Sequence, residues 1–215
     1  MSIEKTVAAE LLRIRAVFLR PDEPFTWASG IQSPIYCDNR LILTNPEARN
    51  VVERAIADTV QREYPDCQVL MGTATAGIAH AAIAAHILRL PMGYVRGGAK
   101  DHGRNNRIEG RLEPGEKVVI VEDLISTAGS AIETAQALQE AGAQVLGIVS
   151  IFTYGMEKGK ARLAEAGLRN VSLSDFDVLI ALAAETGYIQ PTDVERLLRF
   201  RADPTDTRWM KGALA

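Results

Sequence analysis

Four consecutive apolar residues, Val118-Val119-Ile120-Val121, followed at once by the acids Glu122 and Asp123, constrain the fold more than any other stretch of this chain. A run of β-branched residues without polar alternation belongs to a strand covered on both faces, the habit of parallel sheets. The same rhythm recurs at Val69-Leu70-Met71, at Gly93-Tyr94-Val95 and from Val145 to Phe152. Between these runs lie helical stretches: one opened by Pro46 and reaching about Glu63, an Ala-rich one from Gly77 to Leu90, and one from Gly129 to Glu140. Strands alternating with helices predict an α/β architecture, a mainly parallel twisted sheet flanked by helices. Right-handed crossovers then put the strand C-terminal ends, and any ligand crevice, along one edge.

The ends of the chain read differently. Glu4 to Leu19 carries a helical apolar period closed by Pro21 and Pro24, and Phe25 to Asp38 reads as two short strands around Gly30-Ile31-Gln32-Ser33-Pro34. Beyond Glu157, helices are predicted over Asp175 to Ala184 and Pro191 to Phe200. One domain accounts for all 215 residues, with a core over about 46–157 and a small hood formed by the N-terminal and C-terminal segments, about 1–45 and 158–215.

Composition excludes several classes. With 47% hydrophobic and 24% charged residues and a net charge of -3, the chain reads as a soluble globular protein. Its Lys and Arg are scattered, which argues against nucleic acid as a partner and leaves room for a small anion. Cys37 and Cys67 have no metal-ligand spacing and read as ordinary reduced thiols. The start, Met1 to Lys5, lacks the apolar core of a signal peptide, and the apolar stretch from Ile78 to Leu90 is broken by His80, His86 and Arg89. No membrane span is expected, and a cytoplasmic location follows as the default.

The chemistry concentrates after the central strand, in Glu122-Asp123-Leu124-Ile125-Ser126-Thr127-Ala128-Gly129-Ser130. Successive backbone N–H groups in such a turn, backed by a helix N-terminus, favour a phosphate, and the hydroxyls of Ser126, Thr127 and Ser130 add donors. Carboxylates beside a phosphate repel it unless they hold something else, such as ribose hydroxyls or the water shell of Mg²⁺. Strand, acid pair and hydroxyl-rich turn thus suit a phosphorylated sugar. The alternative is a capped helix after a core strand, with Ser126 or Thr127 as the cap and the acids facing the helix dipole. Gly155 to Ala161 approaches a nucleotide P-loop without its Gly spacing or terminal hydroxyl residue, and no Gly-x-Gly-x-x-Gly follows a strand.

The 118–131 stretch resembles the signature with which type I phosphoribosyltransferases bind phosphoribosyl pyrophosphate (PRPP). Glu122 stands where many members have Asp, and Ala128 where Gly is usual. Two further segments resemble the orotate phosphoribosyltransferases in particular. Tyr94-Val95-Arg96-Gly97-Gly98-Ala99-Lys100-Asp101-His102-Gly103 is similar to their mobile loop, and Phe25-Thr26-x-x-Ser29-Gly30-x-x-Ser33-Pro34-Ile35-Tyr36 to their base-binding segment. Gly72-Thr73-Ala74-Thr75-Ala76-Gly77 matches their pyrophosphate loop. The chain departs from the pattern at Gln32 and Gly97, each a frequent Lys, and at Phe152-Thr153-Tyr154-Gly155, which lacks the Arg some relatives carry there.

The resemblance implies the type I phosphoribosyltransferase fold and transfer of a 5-phosphoribosyl group from PRPP to orotate in pyrimidine (UMP) biosynthesis. It implies Mg²⁺ as cofactor and a homodimer whose mobile loop reaches the neighbouring subunit's site. PRPP would be held by residues 122–130 (Glu122, Asp123, Leu124, Ile125, Ser126, Thr127, Ala128, Gly129 and Ser130), by Thr73 and Ala74, and by Arg96, Lys100 and His102. Asp123, Lys100 and His102 are the expected catalytic residues, with orotate touched by Ser126, Phe25 and Tyr36. His80 and His86, six residues apart and so on different helix faces, read as structural. Two rivals differ by what they would lose: a PRPP-sensing regulator lacks the loop or the base segment, and an enzyme for a purine or uracil lacks the Lys-Asp-His-Gly and Ser-Gly-x-x-Ser-Pro forms.

Overall fold

The apolar runs become neighbouring strands of one sheet in the computed structural model, which describes residues 2–27, 30–98 and 107–210. In chain order the elements are α1 (Ile3–Arg13), β1 (Val17–Leu19), β2 (Phe25–Thr26), β3 (Gln32–Ser33), β4 (Ile35–Cys37), a 3₁₀ helix (Asn39–Thr44), α2 (Pro46–Glu63), β5 (Val69–Thr73), α3 (Gly77–Leu88), β6 (Met92–Val95) and β7 (Ile108–Glu109). There follow β8 (Lys117–Ile125), α4 (Gly129–Glu140), β9 (Gln144–Thr153), α5 (Glu157–Glu165), β10 (Asn170–Asp175), α6 (Phe176–Glu185), α7 (Asp193–Ala202) and a closing 3₁₀ turn (Thr207–Met210).

Six strands lie in the order β10-β9-β8-β5-β6-β7, parallel throughout except for β7 against β6. The chain leaves β5 through α3 for β6 on one side and leaves β8 through α4 for β9 on the other. The crevice between β5 and β8 is therefore a topological switch point, where open α/β sheets place their ligands. The strands bury both faces, as their composition requires. Leu70, Val119, Val121 and Val149 face the layer of α1, α2, α3 and α6, whereas Val69, Met71, Ile120 and Ile148 face α4 and α5. The α2 boundary is set locally: Asn45 accepts the Ala48 N–H at 3.0 Å, and Pro46 occupies the first turn.

Three expectations change. The first helix stops at Arg13: Arg15 takes φ 58°, the Ala16 N–H donates to the Leu11 carbonyl at 2.9 Å, and Val17–Leu19 turns into a strand paired with Ile35–Cys37. The alternating burial of Val17, Phe18 and Leu19 suits a half-covered strand, which outcompetes a continued helix. The central strand runs beyond Val121 to Ile125, because β9 still pairs with it there, Ile125 opposite Thr153. Residues 170–175, expected in the hood, form the parallel edge strand β10 of the main sheet, and the helix expected from Asp175 begins at Phe176 with Asp175 as its cap.

The two chain ends meet beside that sheet. Trp27 packs on Tyr154 and Phe200 with ring centroids 5.7 Å apart in each case, and Phe200 meets the buried Trp209 at 5.6 Å. Among the described residues no helix is long and apolar enough to cross a membrane. His80 is fully buried, its Nδ1 2.6 Å from the Glu53 carboxyl that α2 presents to α3. Burial raises the Glu53 pKa, against the opposing hydrogen bond from His80. Removing the imidazole by His80→Ala would leave a buried acid unpartnered. The expected loss is about 2–3 kcal/mol of unfolding free energy in urea denaturation at pH 7; a change under about 0.5 kcal/mol would show that the pair contributes nothing.

Candidate active site

Unequal strand lengths create the site. On its β5 side the pairing of β8 ends with Gly72 opposite Val121, so the main chain from Glu122 onward emerges at the sheet's C-terminal edge while still held by β9. α3 begins close by: a Cβ on Gly77 would collide with the Val121 carbonyl, which requires glycine at that approach. The loops after β5 and β8 therefore lie side by side, each leading into a helix whose first N–H groups point back at the crevice.

Neither helix start has a side-chain cap. Ala76 precedes α3 and Ala128 precedes α4, and in both cases no side chain accepts from the first turn. The reading of Ser126 or Thr127 as a helix cap is thus not what the structure contains. Two adjacent N-termini are thus left without a side-chain cap, each carrying the partial positive charge that favours an anion. Thr73, at the end of β5, is buried with a hydroxyl that has no hydrogen-bond partner among the described residues. The Ala74-Thr75 peptide bond is cis. Ala128 takes φ 61°, ψ 15°, a left-handed conformation that explains why glycine suits this place better than small size alone would.

The two acids are not equivalent. Glu122 is 4% exposed and accepts from the Asp123 N–H at 3.1 Å and from the Ser130 hydroxyl at 3.0 Å. Burial, reinforced by the adjoining Asp123 carboxyl, pushes its pKa up to about 8. Asp123 is only half-buried and sits at the crevice. Asp123 thus keeps part of its surface accessible, whereas Glu122 knits the loop to the first turn of α4. Ser126 and Thr127 are half-buried between them and α5.

α5 braces the loop from behind, a role the sequence pattern did not suggest. Arg162 donates from Nη1 to the Thr127 carbonyl at 2.9 Å, and the backbone at Gly159 approaches the Ser126 carbonyl so closely that any side chain would collide with it. A glycine inside a helix was the available signal for that contact.

Of the other expected site residues, Phe25 and Tyr36 lie together with ring centroids 5.6 Å apart, Tyr36 41% exposed, and the Arg20 guanidinium 5.2 Å from the Phe25 ring. In place of the absent Arg after β9, Tyr154 is buried against Trp27, Phe152 and Phe176. Arg96 pairs with Glu109 at 3.0 Å, and its carbonyl accepts from Arg107 Nε at 3.0 Å, at the foot of the loop leaving β6. Lys100 and His102 lie outside the described residues.

The raised Glu122 pKa has a sign that can be measured. The folded protein binds this proton more tightly than the unfolded chain, so its contribution to stability is complete below the ordinary carboxyl range and is lost as pH rises toward about 8. Glu122→Gln keeps an acceptor oxygen without the charge. Its unfolding free energy should fall less than that of the parent between about pH 5 and pH 8.5; parallel pH profiles for the two proteins would rule out a buried, protonated Glu122.

Comparison with known proteins agrees with this geometry. Residues 39–176 match the model of the phosphoribosyl transferase domain. An orotate phosphoribosyltransferase of Listeria monocytogenes is 51% identical over 211 residues, covering 98% of this chain and 100% of the relative. Among solved structures, orotate phosphoribosyltransferase from Aeropyrum pernix superposes with a TM-score of 0.74 at 29% identity, covering 85% of this chain and 99% of that one. UMP synthase of Leishmania donovani gives 0.78 at 28% identity; 92% of this chain is covered, but only 42% of that longer protein. A half-identical relative matched end to end leaves no room for another assignment: the chain belongs to the orotate phosphoribosyltransferase family of phosphoribosyl transferase domain proteins.

Proposed function

We propose that this protein transfers the 5-phosphoribosyl group of PRPP to orotate, giving orotidine 5′-monophosphate and pyrophosphate, in the cytoplasmic synthesis of UMP. The observation that carries this reading is the pair of uncapped helix N-termini flanking the acids of β8. PRPP has anionic groups at both ends of a neutral sugar diol, and the crevice has the matching order: positive, acidic, positive.

In this reading the 126–130 turn at the α4 N-terminus takes the 5′-phosphate, and Thr73 and Ala74 before α3 take the pyrophosphate. The unpartnered Thr73 hydroxyl supports that assignment. The base nitrogen attacks C1 of the ribose and gives up its proton to solvent, the C1–O bond to pyrophosphate breaks, and the electron pair leaves with that oxygen. No side-chain nucleophile is needed. Asp123, open to the crevice, faces the ribose and steadies the positive charge that grows on the ring. Glu122 acts behind it, holding the Asp123 N–H and Ser130. Arg96, Lys100 and His102 neutralise the departing pyrophosphate when the loop closes and excludes water. Orotate stacks at Phe25 and Tyr36 and reaches Ser126.

The acids also suit Mg²⁺ carried in on the substrate. Among the described residues no cluster of three or more His, Cys, Asp or Glu could hold a metal alone, so the ion would bind through PRPP oxygens and water near Asp123. It would neutralise pyrophosphate charge as the bond breaks.

Purified protein mixed with orotate, PRPP and Mg²⁺ should consume orotate, seen as loss of its ultraviolet absorbance, and should leave uracil, hypoxanthine and adenine unchanged. Turnover of another base with orotate untouched would reassign the substrate. A homodimer belongs to the same reading: Ala79, Ile83 and Ile87, along one face of the largely apolar α3, are only half-buried. Light scattering should return twice the chain mass of 23.4 kDa; a single chain mass at micromolar concentration would remove the dimer.

A further inference from the structure

We propose that Asn39 is a positioning residue for the reaction, tying the aromatic base segment to the backbone of Asp123. Asn39 opens the 3₁₀ helix directly after β4 and is 1% exposed. Its Nδ2 donates to the Asp123 carbonyl at 2.7 Å, across 84 residues of sequence. Its Oδ1 accepts from the Cys37 thiol at 3.3 Å. With a carbonyl acceptor at one end and a thiol donor at the other, the amide has one favourable orientation. Burial keeps the Cys37 thiol protonated, because its pKa is raised well above the ordinary range.

The reason such a bond is needed lies in the sheet. Past Val121, β8 has lost β5 as a neighbour, and the Asp123 carbonyl accepts instead from the Asn39 amide. A buried carbonyl without a donor is costly, and a strand end held on one side only can twist. Asn39 supplies the missing donor from a side chain. The donor comes from the segment that carries Tyr36, three residues earlier, and Tyr36 stacks with Phe25. The place where the base is held and the place where the ring charge grows are thereby fixed relative to each other. The bond does not follow from motif reading, because Asn39 lies outside the phosphate-binding signature and acts on a main-chain atom of Asp123.

The inference rests on the reading of Asp123 as the acid that faces the ribose. A double-mutant cycle tests it, using orotate consumption by the full chain. Asp123→Asn alone should lower kcat at least tenfold; an unchanged kcat would defeat the Asp123 reading itself, and this inference with it. Asn39→Ala alone should lower kcat by about ten- to a hundredfold, with KM for orotate and for PRPP within about threefold of the parent. In the Asp123→Asn background the same Asn39→Ala change should alter kcat by less than about threefold, because the group it positions is already gone. Equal losses in both backgrounds, or a rise in KM at constant kcat, would show that Asn39 only maintains the fold. Asn39→Ser keeps a donor on a shorter arm and should fall between the parent and Asn39→Ala. If the Ala variant does not fold, Asn39→Ser in both backgrounds completes the cycle with the same two outcomes.

Discussion

The mismatch in length between β8 and β5 is the constraint from which the site follows. Parallel neighbours normally end together and hand their edge to loops of similar height. Here β5 stops pairing with β8 at Gly72, while β8 continues along β9 to Ile125. The extra four residues carry Glu122 and Asp123 past the end of the β5 pairing, yet β9 still holds them as strand residues. A catalytic acid on a strand is held more exactly than one on a loop, and reactions that depend on charge placement gain from that rigidity.

The electrostatics of the crevice are balanced around that projection. Two helix N-termini bring partial positive charge from backbone groups alone, with no side chain to be ordered for that part. The acid pair between them would oppose an anion, but burial beside the Asp123 carboxyl raises the Glu122 pKa and so disfavours its charged form. Glu122 acts as a hydrogen-bonding brace, while Asp123 stays half-buried. Their different burial, rather than any difference in type, separates the roles.

Support for this arrangement comes from elements far away in sequence. α5 reaches the turn through Arg162 and Gly159, the N-terminal segment reaches Asp123 through Asn39, and Trp27 packs on Tyr154 beside both. The aromatic contacts from Trp27 through Phe200 to Trp209 hold the two ends of the chain against the sheet. Each of these contacts fixes a backbone position, so the loop's shape does not rest on its own few residues.

By itself, the sequence determined the alternation of strands and helices, the α2 and α4 boundaries, and the turn of small and hydroxyl residues after β8, because local signals decide each of them. Pro46 and Asn45 set one helix start, an unbroken apolar run marks a two-sided strand, and small and hydroxyl residues mark an anion turn. It did not determine where the first helix yields to β1, how far β8 runs, or that residues 170–175 join the sheet. Those outcomes depend on a partner strand, and a short alternating segment such as Asn170-Val171-Ser172-Leu173 shows its preference only when β9 lies beside it. The unequal acids and the Asn39 bond were decided by tertiary structure for the same reason. Burial and main-chain contacts across 84 residues depend on what packs against a residue, which is not written in its immediate neighbours.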